Sequence, residues 1–299
     1  MALSVDFAFE GFRIIRERPI LIAWWGAVLL VGVVLSTALL MSVAGPEWNA
    51  LIQGQVPEDP QKAADIMLRF GPAYLLTLMM SLIFNAVITC GVYRAVLGGH
   101  SPRFGYLRLG ADEVRQIVLY FILLFLVLVV GLTCAVVLSI VGGLLSMIAG
   151  AVMSALVPLV GALTFLAAVM ANIWLMVRLS MVSVQSFEER HLNITGSLRL
   201  TQGRFWSLLG GFALAFLLTV VVIVLFQSIY MALAALISGK DIETLSEIPR
   251  PDMSQLANIL LPLNALSLLV SGLIAPLTTA ILVGAGASAY KMLKAARAV

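Results

Sequence analysis

Residues 116–177 read QIVLYFILLFLVLVVGLTCAVVLSIVGGLLSMIAGAVMSALVPLVGALTFLAAVMANIWLMV, 62 residues without one Asp, Glu, Lys or Arg. A helix needs roughly 20 apolar residues to cross about 30 Å of hydrocarbon, so this stretch holds two crossings or three, and the choice fixes the side on which every later segment lies. Basic residues decide it, because short loops on the inner face carry an excess of Lys and Arg. With two crossings, Arg13, Arg16, Arg18, Arg94, Arg103, Arg108, Arg115, Arg178, Arg190, Arg199, Arg204, Lys291, Lys294 and Arg297 share the side of the termini, and only Lys62, Arg69, Lys240 and Arg250 lie opposite, a split of 14 to 4. Three crossings give 9 and 9, which orients nothing. The stretch therefore reads as two spans, with both termini on the basic, cytoplasmic side. Once acids are counted, that side carries +7 and the other −4.

Outward from this core, four more charge-free stretches cover 19–46, 70–93, 205–239 and 253–290. Residues of the hydrophobic set make up 62% of the chain and charged ones 11%, under half the quarter usual in soluble domains, and the mean hydropathy is +1.08. A soluble globular protein is excluded, since a fold of this size in water needs a charged shell. The stretches far exceed the ten-residue alternating strands of an outer-membrane barrel, and lipid admits only helices or closed barrels. The expectation is a single all-α membrane domain over 1–299, with six transmembrane helices at about 20–43, 72–97, 116–140, 158–180, 206–236 and 258–290 arranged as three hairpins.

The remainder of the long stretch, 142–157, either extends span three, lies at the outer interface or dips in as a re-entrant piece; Gly143, Met147, Gly150 and Ser154 lie close to a small-residue helical stripe. At the N-terminus, basic residues precede an apolar run ending Ser42-Val43-Ala44, superficially a secretory signal, but the run is well over the 7 to 15 residues of a signal's central region. The preceding residues instead predict an amphipathic helix with Ser4 as N-cap and Val5, Phe9, Phe12 and Ile15 on one face, ended by Pro19. In the outer loops, short helices are expected at about 60–70 and 241–247, since fewer than 30 residues cannot bury a core of their own.

The lead-in pattern recurs. FRIIRERPILI precedes span one, LRLGADEVRQI span three and LRLTQGRFWSL span five, and each opens with an aromatic or Leu, an Arg and an aliphatic residue before a second Arg: Arg13 with Arg18, Arg108 with Arg115, Arg199 with Arg204. The even spans end alike, at Tyr93-Arg94, Val177-Arg178 and Tyr290-Lys291. Three hairpins, each led in by a short basic amphipathic helix, are the expected organisation.

The block SFEERHLNITGSLRLTQGRFWSLLGG, residues 186–211, resembles the SLRLTxGRFW element of a class of bacterial six-span inner-membrane proteins that includes the membrane domain found beside glycerophosphodiester phosphodiesterases; FEGFRIIRERP and YLRLGADEVRQ are similar to that class's corresponding loops. The resemblance implies a bacterial inner-membrane location. The phosphodiesterase barrel has no counterpart here, so its catalytic residues carry over to none of these positions.

Catalytic chemistry finds little footing. His100 and His191 sit in no metal-ligand spacing, and no metal or cofactor is expected. Cys90 and Cys134 lie in spans two and three without a CxxC and read as packing thiols. The run Gly284 to Ser288 looks like a nucleophile loop but reads as a packing face. Of the paired acids Asp112-Glu113 and Glu188-Glu189, Glu113 reads as relief for nearby arginines and Ser186 to Glu189 as a capping box, while Asn193-Ile194-Thr195 reads as a turn before a helix. A transporter would gather polar groups at midplane. The intramembrane amides Asn85, Asn172, Gln227 and Asn264 scatter instead, each read as an interhelical hydrogen bond.

Together these features point to a non-enzymatic inner-membrane protein whose basic collar engages anionic lipid headgroups through Arg13, Arg18, Arg108, Arg115, Arg199 and Arg204. Its partners would be membrane lipids, with a protein partner or a second copy of the chain besides, and no nucleic acid. The alternative is a small-solute or lipid transporter or channel.

Overall fold

The computed structural model describes residues 4–54, 59–98, 103–239 and 252–297. Its helices are α1 (Glu10–Glu17), α2 (Pro19–Ile52), α3 (Pro60–Leu97), α4 (Ala111–Val152), α5 (Leu156–Leu179), α6 (Val182–Glu189), α7 (Ile194–Leu200), α8 (Phe205–Ser238) and α9 (Pro262–Ala295), with 3-10 turns at Val5–Phe9, Arg103–Tyr106 and Leu256–Leu260. No strand occurs among the described residues. Six helices, α2, α3, α4, α5, α8 and α9, supply stretches long and apolar enough to cross a membrane, so the chain is an all-α, multi-pass membrane protein.

Local chemistry places the helix ends. α2 starts with Pro19 at a first-turn position, where its missing N–H costs nothing. Its expected end at 43 coincides with a break: Ala44 leaves helical geometry (φ −146°, ψ 37°) ahead of Pro46, and the helix then runs on to Ile52. α3 absorbs the separate helix expected at 60–70. Asp59 caps it by accepting from the Gln61 N–H at 3.0 Å, Pro60 opens it, and Phe70 holds its first turns by stacking on Trp48 at 5.6 Å and Tyr74 at 5.1 Å. The expected helix at 241–247 lies outside the described residues.

Of the three readings of 142–157, the helical extension is the one observed. α4 continues to Val152, and a turn over 153–155 closed by Met153 N–H to Ala149 C=O at 2.7 Å leads into α5. The face that approaches α5 differs from the expected stripe. A Cβ at Gly142 would collide with the Thr164 side chain and one at Gly131 would meet Asn172, whereas Gly143 faces open space. Positions 131 and 142 are eleven residues apart and so share a helix face.

The described chain forms two compact units. One comprises Val114–Gly211 with the adjoining ends of the chain, the other Asp6–Glu113 with Phe212–Ser288. In the first, Leu119, Leu179 and Val182 form a buried core surrounded by Leu123, Leu126, Leu175, Ile194 and Leu198. No residue in the most apolar stretch of α4 or of α5 is buried; Phe125, Leu132 and Phe165 are 69%, 68% and 72% exposed, a surface that only lipid solvates.

In the second unit α2 packs along α3, and small residues bring helices close: Gly32 lies against Phe84, Gly26 against Pro276 and Gly272 against Leu30. α1 docks on α9. A Cβ at Gly11 would collide with the backbone of Ile281, and Gly284 faces Gly11 in return, so the run from Gly284 to Ser288 is a packing face as expected. The docked face of the N-terminal segment is Phe7, Ala8, Gly11 and Ile14, not Val5, Phe9, Phe12 and Ile15. Residues 5–9 wind as a 3-10 turn, which advances about 120° per residue and shifts the stripe. Val5 and Phe9 stay 46% and 47% exposed.

Candidate functional site at the start of spans one and three

The lead-in to span three is helical only from Ala111, and the chain before it is not α-helical over its described residues. Phe104, Gly105 and Tyr106 all adopt left-handed backbone, with φ of 49°, 65° and 64°, and residues 107–109 are irregular. For Phe and Tyr this conformation costs about 1–2 kcal/mol per residue, so the turn persists only where its surroundings hold it. Four contacts do. The buried Trp25 indole N–H donates to the Gly105 carbonyl at 2.8 Å, and Arg94 Nη1 donates to the Tyr106 carbonyl at 3.1 Å. Arg18 Nη1 donates to the Tyr106 hydroxyl at 2.9 Å, and the Trp24 ring meets Phe104 edge-on at 6.3 Å.

Arg94 anchors this arrangement. It is 2% exposed, with Nη2 at 2.7 Å from Glu113 and 3.3 Å from Asp112. Glu113 is itself 2% exposed and faces the guanidinium as an ion pair without an aligned hydrogen bond on either oxygen. The expectation that Glu113 relieves an arginine holds, but the arginine is the one read as an edge charge of span two. A buried pair of this kind fixes geometry more than it adds stability, because desolvation offsets most of the attraction.

The first unit carries a related device. Ser197, fully buried, donates to the Arg178 carbonyl at 2.7 Å and accepts from the Met181 N–H at 3.2 Å. Thr201, one turn on, donates to the Ser197 carbonyl at 2.9 Å and accepts from Arg178 Nη1 at 3.2 Å. Asn193 caps α7 by accepting from the Gly196 N–H at 2.8 Å, as its position before a helix suggested. Ser186 and Glu189 form no capping box. They sit in the last turns of α6 and bind Asn193, whose N–H donates to Ser186 Oγ and whose Nδ2 donates to Glu189. Arg94 and Arg178 thus both turn inward, each binding the lead-in of the next odd span. The third even-span end differs: Lys291 is exposed and Tyr290 bonds Glu188 at 2.6 Å instead.

The predicted headgroup arginines occupy unlike settings. Arg13, on α1, is 55% exposed along its side chain and pairs with Glu10 at 3.3 Å. Arg108 is exposed on irregular chain and Arg199 exposed on α7, so the three triplet arginines share exposure but not secondary structure. Arg18 is exposed beside the left-handed turn, and Arg115 and Arg204 are half-buried. Beside the Glu17-Arg18 corner lies a cleft of about 490 Å³ lined by Glu17, Arg18, Ile20, Trp24, Gly105 and Tyr106, among others.

None of the four intramembrane amides makes the interhelical bond expected of it. Asn85 donates to Ser81 and Asn172 to Ala168, each within its own helix, because a carbonyl four residues back is always in reach. Gln227 is exposed on α8. Asn264, 1% exposed, donates to the carbonyls of Asp252 and Asn258 at 2.7 and 2.8 Å and so ties the preceding loop to α9. In that loop, hydrogen bonds from Ser254 and then Asn258 hold the Asp252 carboxyl below its ordinary value. Sequence reading also missed a cavity of about 320 Å³ in the second unit, where Ser36, Thr37, Thr77, Ser81 and Asn85 converge among apolar side chains. Thr77, Ser81 and Asn85 lie four positions apart on α3 and Ser36 and Thr37 are adjacent on α2, a signal that becomes visible once α2 and α3 are paired.

His191 lies against Glu189 at 3.3 Å, exposed, while His100 lies outside the described residues. The Cys90 thiol is buried and that of Cys134 half-buried, and the two are not joined in a disulfide. No protein-family model, no curated protein and no solved structure matches the chain.

Proposed function

We propose that this membrane protein acts through lipid contact, with no chemistry of its own, and that arginines on the side of its termini engage anionic headgroups. One observation carries the reading: arginines of the collar, exposed or half-buried, stand next to exposed large apolar side chains. Phe9 is 47% exposed one turn from Arg13, Ile20 71% two residues from Arg18, Leu109 82% beside Arg108 and Trp206 73% two residues from Arg204. Water disfavours such pairs, whereas the headgroup boundary suits both halves, the guanidinium reaching phosphate while its stem and neighbour stay apolar. Each basic group near an anionic surface contributes about 1 kcal/mol. A bacterial inner membrane with cytoplasmic termini, and membership of the six-span class found beside glycerophosphodiester phosphodiesterases, belong to the same proposal; the charge asymmetry and the SLRLT block support them.

The test is the triple variant Arg13→Glu, Arg108→Glu, Arg199→Glu, with phosphatidylglycerol retained per chain counted by native mass spectrometry. We expect clear loss, and a smaller loss for the matching Lys variants, which keep charge without the bidentate fork. Retention equal to the parent would refute the reading. The hydroxyl-lined cavity between α2 and α3 favours a second reading, passage of a small neutral solute or of part of a lipid. It predicts that Ser36→Val with Ser81→Val slows uptake into proteoliposomes.

A further inference from the structure

The cleft at the Glu17-Arg18 corner has a composition that a general anion surface does not need. Its lining brings a carboxylate and a guanidinium together, on consecutive residues, at the point where α1 ends and α2 begins. Arg18 uses one of its five N–H donors on the Tyr106 hydroxyl, leaving the others for a ligand. α2 begins there with no side-chain cap and with Pro19 at its first turn, so the positive end of a 34-residue helix adds to the guanidinium's pull on an anion. Glu17 opposes that pull. A purely anionic headgroup would meet like charge, and a neutral apolar ligand would leave two charges unused.

The rim is apolar and open: Ile20 is 71% exposed and Trp24 46%. Trp24 also offers an aromatic face, which attracts ammonium. The wall opposite is the left-handed turn, where Gly105 is pressed so close to Trp24 that an added Cβ would stand 3.0 Å from the Trp24 Cβ. The cleft is therefore a shaped feature held by the Trp25 and Arg94 hydrogen bonds.

We infer that this cleft takes a phosphodiester headgroup bearing a primary amine, the headgroup of an aminophospholipid, with its phosphate on Arg18 and its ammonium on Glu17. The inference deepens the lipid-contact reading and rests on it only for the presence of a lipid surface. A free glycerophosphoethanolamine has the same polar chemistry. The apolar rim and the position at the start of a span commit the site to the lipid.

The experiment is native mass spectrometry of the full chain titrated with dioleoyl phosphatidylethanolamine, phosphatidylglycerol, phosphatidylcholine and soluble glycerophosphoethanolamine, on the parent, Glu17→Gln and Arg18→Gln. Both residues are exposed, and the Trp25 and Arg94 hydrogen bonds that hold the turn remain when Arg18 loses its bond to Tyr106, so the variants should keep the parent's elution on gel filtration. The parent should hold one phosphatidylethanolamine about tenfold more tightly than the other three ligands. Glu17→Gln should erase the preference over phosphatidylglycerol, and Arg18→Gln should weaken both lipids by about tenfold. A Glu17→Gln chain that keeps the preference overturns the inference, as does soluble headgroup binding as tightly as the lipid. If the cleft variants change nothing while the Arg13, Arg108, Arg199 triple loses phosphatidylglycerol, the cleft fails and the collar stands. The reverse pattern upholds the cleft without the collar.

Discussion

A guanidinium at 2% exposure is tolerable only while its acids are present. Arg94→Met removes the counter-charge of the buried Glu113 and is predicted to destabilise the protein by about 3–5 kcal/mol, while Arg94→Met with Glu113→Leu recovers most of that, because a packed apolar pair replaces the ion pair. Apparent melting temperatures in detergent, read by gel filtration after heating, check both. Arg94 was readable in the sequence as a residue at the end of an apolar run, but its inward direction was not. What pointed to it was the acid pair Asp112-Glu113 heading the next span, where Glu113 reads as relief for nearby arginines and the eighteen-position separation of Arg94 from Asp112 hides the contact. At Asp252 the sign follows from its lowered value. The stabilisation is complete above the ordinary carboxyl value of 3.8 and is lost as pH falls through the lower folded value. Hydrogen exchange at the amides of Ser254 and neighbouring residues should therefore stay slow at pH 5 and quicken only in strong acid, and quickening already between pH 6 and 5 would refute it.

Elements are where sequence and structure part most clearly. The three matching triplets fall in a helix, in irregular chain directly after a left-handed turn, and in another helix. The difference is Gly105, which admits positive φ, together with Trp25 and Arg94, partners that lie 80 and 12 residues away and so leave no local signature. The docking of α1 was equally hidden, because Gly11 interrupts an otherwise ordinary amphipathic pattern and its role is the close approach to Ile281. Gly11→Ala is predicted to cost about 1–3 kcal/mol through overpacking against backbone, whereas Gly143→Ala, facing open space within a helix, should be neutral or stabilising by up to about 1 kcal/mol. The difference in apparent melting temperature between the two variants is the measurement, and equal shifts would mean α1 is not held through that glycine.

For the whole molecule, the number of crossings was legible because charge is so sparse that its gaps mark the spans, and the 14 to 4 split supplied the parity. With Cys90 and Cys134 replaced by Ser, single cysteines at the exposed positions Lys62 and Gln255 should react with an impermeant thiol reagent from outside intact cells, and one at Arg190 should not; labelling of Arg190→Cys would overturn the two-crossing reading of 116–177. Lengths were less legible than number, since an apolar run does not announce where its helix stops. α4 is the extreme case. Its 42 residues extend about 63 Å at 1.5 Å per residue, whereas a helix inclined by 40°, the upper end of common tilts, uses only about 39 Å to traverse a hydrocarbon layer of about 30 Å. No residue in the most apolar stretch of α4 is buried, so hydrophobic mismatch falls on this helix: it leans, thickens the surrounding bilayer or lifts its Val152 end into the headgroups. Acyl-chain length thereby becomes a variable that the protein registers, and a cysteine at Ser146 should react faster with an aqueous reagent in short-chain nanodiscs than in long-chain ones.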